Sequence, residues 1–264
     1  MVEKAVYLSD MDKVGNLDKG YDRLYFGVEF CELNIPSFHE AGKAFDTARE
    51  HGMSFTFVTP YVTDYGIEKI TRLLDELAEL GTMEVVVNDY GVLRLFKEGY
   101  RPLQPVFGRL LTKQKRGFGL YKGILEYPDE LIDYFRSSNV DNDNIRRFLR
   151  DSGIERVEMD NLIHGSSVGL EGSGISGSLY VPYGYISTTR FCPWAFEGKS
   201  WENLKNMCKK SCSLNVLALD SETMAETIYM RGNTQFFRND MIPTDEHLLH
   251  LGIDRLVYEP DIPI

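Results

Sequence analysis

Four cysteines carry most of the chemistry this sequence can do. Three of them, Cys192, Cys208 and Cys212, form a C-x15-C-x3-C arrangement, and the fourth, Cys31, lies far upstream. Three clustered thiols and one distant one suit a closed four-thiolate site better than a disulfide framework, and four sulfurs around one centre can hold an iron–sulfur cluster or zinc. Zinc sites more often use C-x2-C pairs, which this chain lacks. The x3 spacing predicts that Cys208 and Cys212 sit one helical turn apart on the same face. Pro193 and Trp194 directly follow Cys192 and would stiffen and shield one side, while Arg190, Lys209 and Lys210 are near enough in sequence to offset thiolate charge. The competing structural reading is four unrelated buried thiols, because free cysteine is among the most buried residue types.

A nucleophilic thiol would need a histidine partner. The candidates are His39, His51, His164, His247 and His250. His247 and His250 fall in a short C-terminal helix, and His51 closes a helix, where an imidazolium is favourable. Of the five, His164, beside a glycine-rich stretch, is the histidine placed for chemistry. Those glycines are not a phosphate loop, since G-x-x-x-x-G-K-[ST] is absent.

The elements that must position these residues follow from periodicity. Arg23–Gly27 and Ser54–Val58 read as short strands, and Ala41, Ala44, Phe45 and Ala48 mark a helix. Gly66 to Leu80 carries Ile67, Ile70, Leu73, Leu74 and Leu77 at 3.6-residue spacing, closed by Gly81 and followed by the strand Met83–Val87. This is a βαβ unit with parallel strands. Segments beginning at Leu80, Ser152 and Leu251 echo one another, each a glycine, a β-branched strand and then a carboxylate. Repeated αβ units of this kind predict an α/β, TIM-barrel-like (β/α) barrel, irregular or incomplete, as a single domain over 1–264. A doubly wound open sheet is the alternative, but no G-x-G-x-x-G follows the first strand.

In such a barrel, function gathers where strands end. Those positions hold Cys31, Thr59-Pro60-Tyr61, Asn88-Asp89, Asp160-Asn161 and Glu259. A lone carboxylate there is more often a helix N-cap than a catalyst. The Gly/Ser-rich stretch 164–178 reads as a long loop, too glycine-rich for a helix or a central strand, and the cysteine-bearing segment 190–212 follows it.

The chain has 264 residues, 43% of them hydrophobic, enough for a full core. Its net charge of -11 argues against nucleic-acid binding through a general basic surface, with Lys113-Gln-Lys-Arg116 as the local basic patch. The first residues show no export signal and no apolar run approaches ~18 residues, so a cytoplasmic protein with reduced thiols and no membrane span is expected.

Four stretches together resemble a known family: Tyr25-Phe-Gly-Val-Glu-Phe-Cys31, Val86-Val-Asn-Asp-Tyr-Gly-Val92, Val106-Phe-Gly-Arg-Leu-Leu111, and Tyr185-Ile-Ser-Thr-Thr-Arg-Phe-Cys192 with Cys208 and Cys212. They look like the U32 "peptidase" family over residues 20–235, and the cysteine layout is most similar to its UbiV-like branch. The resemblance implies a TIM-barrel-like fold and a [4Fe-4S] cluster on Cys31, Cys192, Cys208 and Cys212. It further implies oxygen-independent hydroxylation of a small-molecule or RNA substrate, and a U32-family paralogue as hetero-oligomer partner. The family's peptidase signature has a tighter cysteine pair near a Glu-x-Phe-x-x-Gly-Ala/Ser stretch, and here Asp160-Asn-Leu-Ile-His-Gly-Ser166 stands without that pair. A peptidase-like hydrolase is therefore the second reading, and a non-catalytic subunit stabilised by its cluster is the third. Asn88, Asp89, Arg109 and Arg190 are the candidate catalytic residues, flanking strand ends or the cysteines, although structural salt bridges would equally explain the two arginines.

Overall fold

A computed structural model describes residues 1–18, 20–123, 126–196, 208, 210, 212 and 215–264. Eight parallel strands close into a barrel: β1 (Glu3–Leu8), β2 (Arg23–Gly27), β3 (Ser54–Val58), β4 (Met83–Val87), β5 (Leu103–Phe107), β6 (Arg156–Asp160), β7 (Ser176–Val181) and a last strand, β12 (Ile253–Tyr258), that pairs with both β7 and β1. Between β7 and β12 the chain leaves the barrel to build an antiparallel sheet from β8 (Tyr183–Thr188), β9 (Leu217–Leu219), β10 (Ile228–Arg231) and β11 (Thr234–Arg238), in the order β8-β11-β10-β9. The expected TIM-barrel-like α/β fold is therefore present, as a closed barrel rather than an incomplete one, with the antiparallel sheet inserted before its last strand.

The helices around the barrel vary in length. A four-residue turn, α1 (Met11–Val14), links β1 to β2, whereas α2 (Phe38–Glu50), α3 (Asp64–Leu80), α4 (Tyr90–Glu98), α5 (Asp129–Arg136) and α6 (Asp143–Asp151) are longer. Ser37 starts α2 with a reciprocal capping box to Glu40. On α3, Ile70, Leu73, Leu74 and Leu77 are buried, as their spacing predicts, against outward-facing strand residues such as Val85 and Val87.

The strand pleat sends alternate residues into the lumen. Val58, Val86, Val106 and Val257 meet Tyr7, Tyr25 and Tyr180 there in a compact inner cluster. An ionic layer lies on each side of it. Toward the strand N-termini, Arg255 bonds Glu84 at 2.6 and 3.1 Å, while Glu3 receives Arg255 and Arg23. Tyr25 donates across the lumen to Glu158 at 3.0 Å. Toward the strand C-termini, the fully buried Arg109 holds Glu29, Asp160 and Glu259, with its guanidinium 4.0 Å from the Tyr180 ring centroid. Buried charges are costly unless paired, which explains why both layers are networks.

The sequence expectation for 164–178 needs correction at its end. Ser176, Gly177 and Ser178 belong to β7, a barrel strand. A Cβ on Gly177 would meet Leu170, Ile253 and Met159 side chains at 2.9–3.0 Å, so close packing requires the glycine that made the segment look loop-like. The helical turn expected across Cys208–Cys212 falls partly outside the described residues, which leave out Lys209 and Ser211, while Lys210 adopts φ 56, away from the right-handed helical region.

Candidate cysteine site and barrel mouth

Cys31 reaches the C-terminal face of the barrel through a local device. Gly27 ends β2 at φ 138, where a Cβ would stand 2.2 Å from the Val58 carbonyl oxygen. Only glycine tolerates that approach, and from it the chain turns so that Val28 N donates to the same oxygen at 3.2 Å. Glu29 then enters the lumen, Phe30 packs on Tyr185 and Phe236, and Cys31 emerges at the rim.

The other three cysteines belong to the chain between β7 and β12. Cys192 follows β8 and precedes the short helix α7 (Pro193–Phe196). The two-residue turn between β10 and β11 is Gly232-Asn233, with Gly232 at φ 59 as such a hairpin demands. A Cβ on Gly232 would lie 3.4 Å from that of Cys212, so the bare turn lets the hairpin tip press against the thiol. Asn233 Nδ2 fixes the tip, lying 2.7 Å from Phe30 O, 3.0 Å from Tyr61 Oη and 2.5 Å from Thr189 O.

All four cysteines line a single cavity of about 360 Å³, together with Tyr61, Arg190, Gly232 and Asn233. All four are free thiols. Burial pushes the Cys31 thiol up to about 11, and the nearby Cys208 and Cys212 push in the same direction. Burial likewise raises Cys192. Asn34 Nδ2 donates to Cys212 Sγ at 3.8 Å.

This donor set fits a soft, thiolate-loving centre: four sulfurs around one cavity, whose protons a bound cation would replace. Among the described residues, no three His, Cys, Asp or Glu side chains converge on one metal-ion position.

A second cavity of about 510 Å³ opens at the barrel mouth, and Tyr61 and Arg190 line both. Of the four residues expected to be catalytic, Asn88, Asp89 and Arg190 line this mouth. Asn88 is held by Thr59 O at 3.0 Å and by Leu110 N, which donates to its Oδ1 at 3.2 Å. Asp89 caps α4 through Gly91 N at 2.6 Å, as a lone carboxylate at a strand end often does. Arg190 Nη2 donates to Val62 O at 3.0 Å, its guanidinium 5.2 Å from the Tyr61 ring centroid. Arg109 lines neither cavity and lies beneath the mouth in its ionic layer.

That layer carries three carboxylates, Glu29, Asp160 and Glu259, against two guanidiniums, Arg109 and Arg116. Burial holds Glu259 well above the usual carboxylate range despite Arg109, and its Oε2 has no hydrogen-bond partner among the described residues.

Two sequence expectations change here. The patch 113–116 is no basic groove: Arg116 is buried against Asp160, Gln114 is buried too, and Lys115 sits over the Tyr134 ring. His164 is buried, its Nε2 3.1 Å from Phe135 O, and none of the five histidines lines the cysteine cavity. Asn233 and Asn34 were missed, although the Gly232-Asn233 pair was by itself a visible turn signal.

Among the described residues, no helix is long and apolar enough to cross a membrane. No protein-family model and no curated protein matches the chain. Its fold is similar to that of the U32 peptidase Mk0906, with 15% identity, 100% of this chain and 95% of that chain covered, and a TM-score of 0.50. Weaker likenesses are to the Bacillus megaterium QM B1551 spore cortex-lytic enzyme SleL (10% identity, 97% and 70% covered, TM-score 0.38) and to the Trichuris suis chitinase TsES1 (8%, 97% and 91%, TM-score 0.36).

Proposed function

We propose that this chain is a U32-type iron–sulfur protein of the UbiV-like branch, in which Cys31, Cys192, Cys208 and Cys212 hold a [4Fe-4S] cluster serving oxygen-independent hydroxylation or a related redox reaction. The observation that carries the reading is that all four cysteines of the chain, from distant parts of the sequence, line one cavity. The full-length likeness of the fold to a U32 peptidase supports the U32 part of it. When bound, such a cluster supplies one-electron redox chemistry.

The chain's own residues have separable tasks in this reading. Asn34 gives an N–H to Cys212 in a site that would carry surplus negative charge. Tyr61 forms the wall between cluster cavity and barrel mouth, its hydroxyl donating to Thr189 O at 2.7 Å. Hydrolysis by a cysteine–histidine pair is the weaker alternative, because no histidine lines the cavity.

The test is iron and acid-labile sulfide per chain, with the visible spectrum, on anaerobically purified protein and a Cys208→Ala variant. About four of each per chain, lost with the broad thiolate–iron absorption in the variant, is the expected result. One zinc per chain, or no metal after anaerobic reconstitution, overturns it.

A further inference from the structure

We propose that the barrel-mouth cavity is a substrate subsite for a small organic anion, carboxylate or phosphate, gripped by Lys113 and Arg190. The proposal rests on the reading of the cysteine site given above, and it names the substrate class that this reading leaves open.

The argument begins with how the chain treats its other cations. Its net charge is -11, and the arginines that it uses structurally are neutralised: Arg109 by three carboxylates, Arg116 by Asp160, Arg255 by Glu3 and Glu84. Lys113 and Arg190 differ. Both are exposed, both line the mouth cavity, and neither forms an ion pair among the described residues. Lys113 Nζ donates to Leu110 O at 3.2 Å and Arg190 Nη2 to Val62 O at 3.0 Å, contacts that orient each head without cancelling its charge. The one carboxylate among the described lining residues, Asp89, is engaged by two backbone amides, Gly91 N at 2.6 Å and Val62 N at 3.3 Å. The concavity therefore keeps a net positive charge inside an acidic molecule, which concentrates anions.

The remaining wall suits a carbon skeleton. Tyr61, Tyr90 and Tyr185 give it flat apolar surface, and Ser187 and Thr188 add hydroxyls. A guanidinium offers paired N–H donors to a carboxylate or phosphate, and an ammonium complements it as a point charge. Because Tyr61 and Arg190 also line the cysteine cavity, an anion anchored here lies against the wall that the two cavities share.

Isothermal titration of the anaerobically purified full chain tests this with phenyl phosphate, phenylacetate and the neutral phenylacetamide. The two anions bind and the amide does not, and Lys113→Gln and Arg190→Gln each raise Kd by about tenfold. Whichever anion binds tighter identifies the head group as phosphate or carboxylate. Amide binding equal to that of the anions, or wild-type Kd in both variants, overturns the subsite. Circular dichroism confirms that the variants fold, as their exposed positions lead one to expect. Iron and sulfide assays on the same samples separate the two readings: anion binding without iron removes only the cluster, and a cluster without anion binding removes only the subsite.

Discussion

Glu158 shows how far a single buried side chain can couple this barrel to its medium. It lies fully inside the lumen, receives Tyr25 Oη, and keeps its Oε2 without a partner among the described residues. Burial pushes its pKa up to about 7, with Arg255 and Arg156 pulling the other way. An acid whose pKa is higher folded than unfolded contributes stability that is complete below the unfolded value, and that stability is lost as pH rises through the folded value. The window here runs from 4.5 to about 7, and the loss amounts to about 3 kcal/mol. Glu158→Gln keeps the shape without the titration. Urea midpoints between pH 4.5 and 8 should fall in the wild type relative to the variant, and parallel pH profiles would contradict the assignment. Glu84 works in the opposite sense: burial would raise it, but Arg255 brings it down to about 2, so its contribution disappears only in strong acid.

At the scale of elements, the turn after β2 positions the site. Gly27→Ala would force a Cβ to 2.2 Å from Val58 O at φ 138. The variant should lose at least about 2 kcal/mol in denaturant unfolding, and the segment carrying Glu29 and Cys31 should shift with it. An unchanged midpoint would show that the strand end relaxes freely. The same element illustrates what could be read in advance. β2, β3 and β4 announced themselves through short apolar runs, because a barrel strand buried on both faces leaves a continuous signature, and α3 through its 3.6-residue spacing closed by Gly81. β7 did not, since its Ser-Gly-Ser start answers to packing against Leu170 and Ile253 rather than to strand propensity. The sheet of β8 to β11 was also missed: β9 is exposed along its length and β10 only half-buried, so neither carries the pattern of a core strand. The cysteines were legible as a group from spacing alone. Their common cavity was not, because it depends on a hairpin folding back from a sheet that periodicity did not show.

The whole molecule is a barrel with a smaller sheet laid against its mouth, and Asn233 is one of the fastenings between them, beside the Arg109–Tyr183 and Tyr185–Arg109 hydrogen bonds. Its amide reaches the barrel segment at Phe30 O, the wall residue Tyr61, and Thr189 just after β8. Asn233→Ala should leave the far-ultraviolet signature of the barrel intact while costing about 1 kcal/mol in half-buried hydrogen bonding. Hydrogen exchange should rise in β10 and β11, and the iron content expected under the proposed function should fall. Wild-type exchange in that hairpin would argue that other contacts hold the sheet.

The chain distribution of the four cysteines has a consequence for folding. One sulfur is anchored in the barrel, and three sit on the excursion between β7 and β12. Any group bound by all four acts as a cross-link spanning most of the sequence. Such closures remove conformational entropy from the unlinked chain, and the gain grows only slowly with the length enclosed. Filling the cavity would therefore change cooperativity more than shape, turning a barrel and a sheet that can open separately into one unit that opens together.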